Sequence, residues 1–221
     1  MSAKGAIRKE QINKSLSPKI VDARVAYTFN AFDNVLVTSS FGTTSAILLH
    51  IVSRVRPGHP IYFIDTRYHF EETIAYKNKL ADRLDLNVVD LEPDPERHAF
   101  TRKNQTWKKD PDFCCQINKV EPLNAIKEGH DAWISGLIGY ESNYRRYFEI
   151  FEDAGDIYKF YPLVDWSDEQ VNEYFELYGL PRHPLEQKGY QSIGCTHCTT
   201  KGCGRNGRWP GTGKTECGLH K

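Results

Sequence analysis

Six cysteines carry most of the chemistry that can be read from this chain. Cys217 stands alone near the C-terminus, inside the run Glu216-Cys217-Gly218-Leu219-His220. Cys114 and Cys115 are adjacent, and Cys195 and Cys198 flank Thr196-His197 with CxxC spacing. Thiolates are soft ligands that select zinc or iron–sulfur centres, and four of them satisfy either. Adjacent residues reach two sites on one ion only with strain. A cluster distributes its ligand positions over several irons, so the Cys114-Cys115 pair suits a cluster better. Buried thiols without a ligand are the plain alternative. Cys217 differs in character: glycine follows it, Lys214 precedes it, and a thiolate near positive charge is a nucleophile. An incidental thiol at a fraying end is the competing reading. His220 could assist it. Cys203, between Lys201 and Arg205, reads as a spare thiol.

A second constellation suits anions. Ser39-Ser40-Phe41-Gly42-Thr43-Thr44-Ser45 lies between an apolar run and a helical pattern. A strand, a turn of small residues and a helix start bring backbone N–H groups and hydroxyls to one point, where a phosphate can sit. The Gly-Lys-Ser/Thr ending of the Walker motif is missing, and a capped helix after a buried strand is the plainer alternative. Asp65 and Thr66 end the next apolar run, at the sheet edge where ligands bind in open α/β folds. Phe41, Tyr68 and Trp209 offer faces to a base, or simply pack.

These residues need a scaffold, and the hydrophobic pattern supplies one. Helices are expected over Lys19–Phe29, Ala46–Val55, Glu71–Leu84 and Val120–Lys127, from apolar residues three and four apart. Strands are expected over Val35–Thr38, Ile61–Asp65, Asn87–Leu91, Ala132–Leu137 and Tyr158–Val164. Ser167 and Gln170 form a capping-box pattern ahead of a stripe of Val171, Tyr174, Phe175 and Tyr178. Alternating strands and helices predict an α/β fold with a mostly parallel sheet and flanking helices. Glu92–Asp112, polar and with Pro93, Pro95 and Pro111, reads as a long loop with at most a helical turn. Beyond Tyr190, glycines interrupt every element, and the segment needs a metal or ligand to order it. The expected organisation is an α/β domain over 1–193 and a cluster-binding segment with a catalytic tail over 194–221.

Lys+Arg and Asp+Glu are equal at 29 each among 221 residues. Bulk charge therefore suggests neither a nucleic-acid nor a membrane partner. No run approaches the roughly 20 apolar residues of a membrane span, and the N-terminus lacks a secretory core. A cytoplasmic location is expected, where cysteines serve metals or catalysis rather than disulfides.

Taken together, these residues resemble the assimilatory sulfonucleotide reductases, and within them the iron–sulfur type that acts on adenosine 5′-phosphosulfate. The resemblance runs from about Val35 to the C-terminus. It is carried by the Glu216–His220 tail, the two cysteine pairs, Lys119-Val120-Glu121-Pro122-Leu123, Ser40-Phe41-Gly42, Phe63-Ile64-Asp65-Thr66 with Glu72-Thr73, Pro162-Leu163-Val164-Asp165-Trp166, and Arg205 with Gly207-Arg208-Trp209. It implies an adenine nucleotide alpha hydrolase-like fold, related to the ATP pyrophosphatases, and a 4Fe–4S cluster on Cys114, Cys115, Cys195 and Cys198. It also implies that Cys217 attacks the sulfate sulfur, AMP leaves, and thioredoxin or a similar dithiol releases sulfite from an S-sulfocysteine. By the same resemblance Ser39, Ser40, Phe41, Gly42, Asp65, Thr66, Lys119, Arg145, Arg205 and Arg208 bind the substrate, with Lys119 between cluster and nucleotide. The chain departs from the family at Ile138-Gly139, where an arginine pair is usual, leaving one of Arg145 and Arg146, with Arg145 preferred, as the expected remaining cation. It departs again at Asn118 and at Arg67, which stands where glycine is usual. Alternatives are a reductase of the 3′-phosphorylated nucleotide, an ATP-cleaving relative, whose loop acid is missing between Ser39 and Ser45, and a zinc-binding module. A homo-oligomer is compatible with the sequence.

Overall fold

Strand β1 (Val35–Ser39) is buried at every residue, as a strand covered on both faces must be. Its side chains alternate between two cores. Val35 and Val37 join the larger one, while Leu36 joins a smaller one with Ile64, Leu123, Trp133 and Ile157. The same alternation runs along β4 (Ala132–Ser135), where Ala132 and Ile134 face one side and Trp133 the other. The computed structural model describes residues 9–220. Its sheet also contains β2 (Pro60–Ile64), β3 (Asn87–Leu91), β5 (Phe151–Asp153) and β6 (Tyr158–Phe160), in the order β3-β2-β1-β4-β6-β5. All pairings are parallel except β5 with β6. Among the described residues no helix is long and apolar enough to cross a membrane.

The helices are α1 (Lys9–Leu16), α2 (Val21–Ala31), α3 (Ser45–Val55), α4 (Glu71–Leu84), α5 (Pro95–Lys103), α6 (Thr106–Lys109), α7 (Pro111–Cys115), α8 (Glu121–Lys127) and α9 (Asp168–Leu177). The predicted α/β architecture is present, with boundaries shifted by a residue or two. Helix α9 begins on the expected capping box, Ser167 and Gln170 bonding reciprocally.

The main correction lies between Glu92 and Asp112, which holds helices rather than a loop. Pro95 and Pro111 start helices there instead of breaking them. Each sits in a first turn, where its missing N–H costs nothing, and Asp94 and Asp110 cap the two ends by accepting from Arg97 N and Phe113 N. The strand expected to reach Val164 stops at Phe160, because Pro162 cannot donate to a ladder and the chain turns there, Val164 N bonding to Tyr161 O. Helix α1, which buries Ile12 and Leu16 four residues apart, and strand β5 were not among the elements expected from sequence. They meet through Asn13, whose side-chain amide bonds both Phe151 O (3.0 Å) and Phe151 N (2.9 Å), blunting the sheet edge.

His183 ties the segment leading to Cys195 against α4. It is wholly buried, its Nδ1 accepts from Leu185 N at 3.2 Å, and its Nε2 lies 3.1 Å from Thr73 Oγ1. Both nitrogens are thus used by the neutral ring, and burial lowers the pKa to about 4. Unfolded chains take up this proton near pH 6.5, the folded protein only near 4. The contribution is therefore intact above pH 6.5 and lost as pH falls toward 4. Denaturant titrations should show stability declining across that window, with a shallower decline in His183→Gln.

Candidate active site

The strand order reverses between β1 and β4, and a crevice opens at their carboxyl ends, the usual ligand position in open α/β sheets. Ser39, Ser40, Gly42, Thr43, Thr44 and Ser45 line one wall, Ser135, Gly136 and Leu137 another. The empty volume, including the open mouth, is about 1070 Å³. The loop turns at Phe41, which has φ 48 and whose N–H donates to Ser39 Oγ at 3.1 Å. No side chain caps the start of α3, where Ser45 N and Ile47 N donate to Gly42 O and Thr44 O, both at 3.2 Å.

Four cations reach the crevice: Lys119, Arg145, Arg205 and Arg208. Burial presses the Lys119 ammonium toward neutrality, but the thiols of Cys195, Cys217 and Cys115 hold it above its ordinary value. Arg205 is brought down to about 10, first by burial and then by Arg145. Arg208 is buried, and its Nη1 and Nε donate to Ile193 O (3.1 Å) and Cys198 O (3.4 Å). Its guanidinium also lies 4.5 Å from the Trp209 ring centroid.

The four paired cysteines come together beside this crevice. Cys114 and Cys115 end α7, Cys195 and Cys198 bracket a short turn, and all are buried in one cluster with Tyr68 and Trp209. They line a cavity of about 320 Å³ empty volume, walled also by Trp107, Asn118 and His197. All are free thiols. Burial pushes Cys115 up to about 11 and Cys198, with Cys195 and Cys115 adding to it, up to about 12. Such a set of thiols gives up its protons to a bound cation, and a soft metal centre fits the donors and the apolar walls. Thr66 Oγ1 lies 3.3 Å from Cys195 Sγ, and Asn118 Nδ2 lies 3.6 Å from Cys114 Sγ. Lys119 and Arg208 line both this cavity and the crevice.

The tail closes the crevice. Cys217, half-buried, lines it together with Leu219 and His220. Burial opposes ionisation of Cys217, but Lys119, the Leu219 backbone N–H and Arg208 outweigh it and hold the thiol below its ordinary value. His220 stacks on Trp133 with centroids 4.8 Å apart and planes 5° from parallel, and its Nδ1 lies 3.2 Å from the Tyr161 hydroxyl. Burial, with Arg145 and Lys159, keeps this imidazole neutral, its pKa well below the ordinary value.

Of the residues expected from sequence, Cys217, Ser39, Ser40, Gly42, Lys119, Arg145, Arg205 and Arg208 line the crevice, and the four paired cysteines share their cavity. Three others point elsewhere. The Phe41 side chain is fully buried against Phe63, Asp65 accepts from Arg67 N at 2.8 Å, and Thr66 turns to Cys195. Arg67 itself has φ 58, a conformation that favours glycine, and pairs with Glu92. Ile138 is core, and a Cβ on Gly139 would lie 2.6 Å from Val164 O, so this stretch brings no cation. Cys203 is exposed. Sequence reasoning missed Glu216, Ser142, Trp133 and Tyr161. Only Glu216 carried a signal, its place inside the tail motif.

What stands at the switch point is a crevice of an α/β protein, lined by four cations and a serine-rich loop and closed by a thiol. Residues 34–201 match the phosphoadenosine phosphosulfate reductase domain, and the chain belongs to that family. It is 34% identical over 221 residues to the adenosine 5′-phosphosulfate reductase of Halalkalibacterium halodurans, covering 96% of each chain. It is 39% identical over 192 residues to the enzyme of the same name from Chelativorans sp., covering 84% of this chain and 78% of that one. The phosphoadenylyl-sulfate reductase of Candida auris, solved as a phosphate complex, superposes with a TM-score of 0.76 at 25% identity, over 90% of this chain and 98% of that one. An FMN adenylyltransferase of Candida glabrata shares the fold at 13% identity and a TM-score of 0.60, over 89% of this chain and 66% of that one. The molecule is a reductase of the sulfate-reduction type on the adenine nucleotide alpha hydrolase-like fold.

The crevice depends on a close approach at Gly194, where a Cβ would lie 2.2 Å from Arg208 Nη2, a guanidinium pinned by two carbonyls. Gly194→Ala should cost about 1–3 kcal/mol in urea unfolding. Gly213→Ala, with no atom within 4 Å of the new Cβ, should stay within about 0.5 kcal/mol of the parent.

Proposed function

We propose that this protein reduces adenosine 5′-phosphosulfate to sulfite and AMP with electrons from thioredoxin or a similar dithiol. The observation that carries the reading is Cys217, seated with Lys119 and Arg208 at the mouth of the serine-rich loop. The names of the relatives at 34–39% identity support the unphosphorylated nucleotide.

In this reading Ser39, Ser40 and Gly42, ahead of the start of α3, bind the nucleotide phosphate. Phe41 shapes the loop from the core, and Asp65 and Thr66 support the adenosine side through backbone and cage contacts. The Cys217 thiolate attacks the sulfate sulfur, a bond forms from Sγ to sulfur, and the bond from sulfur to the phosphate oxygen breaks. The electron pair stays on that oxygen, and AMP leaves. Lys119 and Arg208 stabilise the charge that develops there, with Arg145 and Arg205 adding positive potential at the wall. A thiolate of the dithiol then attacks Cys217 Sγ and expels sulfite. Its second thiol resolves the mixed disulfide, regenerating the Cys217 thiolate and leaving the partner oxidised.

Cys114, Cys115, Cys195 and Cys198 would hold a 4Fe–4S cluster. Four thiols lining one cavity of about 320 Å³, two of them adjacent in sequence, support a cluster over a single zinc ion. When bound it would supply fixed charge beside Lys119 and order the segment from residue 194 onward against the 1–193 domain. A reducing compartment, the cytoplasm, suits cysteines that serve a cluster and catalysis rather than disulfides.

Sulfite assays on both nucleotides with thioredoxin test the reading. Cys217→Ser should drop sulfite release to background while keeping nucleotide binding and colour, and mass spectrometry of the parent after mixing with nucleotide should find a sulfonate on Cys217. Turnover by Cys217→Ser at the parent rate would remove the nucleophile. Cys114→Ala should lose iron and activity together. A colourless, zinc-loaded protein without nucleotide turnover would establish the zinc module instead.

A further inference from the structure

The tail is held on both sides of its thiol, and the tighter hold is a carboxylate in a place suited to an oxyanion. Glu216 is buried. Its Oε1 accepts from Ser142 Oγ and Arg145 Nε, both at 2.9 Å, and its Oε2 accepts from Arg145 Nη2 at 3.1 Å and Arg205 Nη2 at 3.2 Å. Arg205 also grips the preceding residue, its Nε and Nη2 donating to Thr215 O at 3.1 and 2.9 Å. Arg145 has a second partner in Glu141. On the far side of Cys217, the His220 carbonyl accepts from the Tyr144 hydroxyl at 3.3 Å. Ser142, Tyr144 and Arg145 all belong to the loop after β4, so that one segment meets the tail before and after the nucleophile.

We infer that Glu216 is a positioning residue: its carboxylate occupies the forks of Arg145 and Arg205 as an internal oxyanion, and so seats Cys217 in the crevice. Two guanidiniums against two carboxylates form a balanced set. With the tail docked, Arg145 and Arg205 spend their hydrogen bonds on Glu216, and the incoming nucleotide meets Lys119, Arg208 and the loop amides. With the tail withdrawn, the same two forks and the Ser142 hydroxyl form a site for sulfate or phosphate, since arginine binds carboxylate and tetrahedral oxyanions by the same bidentate geometry. A soluble oxyanion should then compete with Glu216 and loosen the tail.

The inference takes the identity of the reaction from the reductase reading, but docking is measured without nucleotide. Hydrogen–deuterium exchange of the C-terminal peptide in the cluster-loaded protein should be slow in the parent. It should be about tenfold or more faster in Glu216→Gln, the loss expected for hydrogen bonds to a charged group, and intermediate in Glu216→Asp. Sulfate should speed exchange in the parent relative to chloride at equal ionic strength, and leave Glu216→Gln unchanged. In single-turnover assays, formation of the Cys217 sulfonate should slow by a similar factor in Glu216→Gln while the nucleotide dissociation constant holds. Equal exchange in parent and Glu216→Gln would overturn the inference, as would an equal response of the two to sulfate, or a slowed sulfonation that comes entirely from weaker nucleotide binding. If no sulfonate ever forms on the parent, the reductase reading fails, and the exchange data still decide whether Glu216 holds the tail.

Discussion

Positive charge gathered where water is scarce is the constraint around which the rest of the molecule is arranged. Lys119, Arg145, Arg205 and Arg208 share one crevice, and the depressed Arg205 shows how strongly burial and a like neighbour act there. Such groups persist only where anions meet them. The carboxylates come from different parts of the chain, Glu141 from the loop after β4 and Glu216 from the tail, while thiols of the tail and of the cage stand beside Lys119. The sheet, the cage and the tail are therefore electrostatically one unit. Removing the Glu216 carboxylate would leave Arg205 without its ion-pair partner and Arg145 with Glu141 alone.

The link between cage and crevice is covalent as well as electrostatic. Helix α7 runs into a π-helical turn over Gln116–Val120 and then into α8. Cys114 and Cys115 lie just before the wide turn and Lys119 lies inside it. A π turn inserts a residue into the helical rotation and is found often at functional sites. Here it lets one continuous stretch present two thiols to one cavity and an ammonium to the boundary with the next. Asn118 fills the gap this leaves, with Nδ2 donating to Cys114 O at 2.8 Å and Oδ1 meeting His98 Nδ1 at 2.8 Å. A lysine or arginine at that position would have no acceptor for His98 Nδ1.

Much of the fold was legible because buried parallel strands have an unmistakable texture, as in Val35–Val37 and Ala132–Ile134. The reading failed where a residue type had two uses. Pro95 and Pro111 look like breakers until an aspartate is seen capping the same turn. Phe41 looks like a base-stacking group beside a phosphate loop, yet the left-handed turn that shapes the loop drives its ring into the core. Residues that could do chemistry were largely named in advance, since thiols, lysine and arginine advertise it. Ser142, Trp133 and Tyr161 were invisible. Nothing in their local sequence says that the tail, more than fifty positions away along the chain, folds back onto them.

The seat of His220 on Trp133 has a thermal consequence. Leu219 and His220 pack against the smaller core, over Trp133 beside Leu36 and Leu123, whereas Glu216 is held by ion pairs. Drawing the tail out wets an aromatic face and an aliphatic side chain, so the withdrawn form has the larger heat capacity. Apolar seals slacken in the cold, while the hydration of ionised groups becomes less favourable on warming. The two anchors therefore respond oppositely to temperature. Cooling loosens the Leu219–His220 end first, heating tightens the carboxylate end, and the division of grip along the tail becomes a property of the temperature at which the protein works.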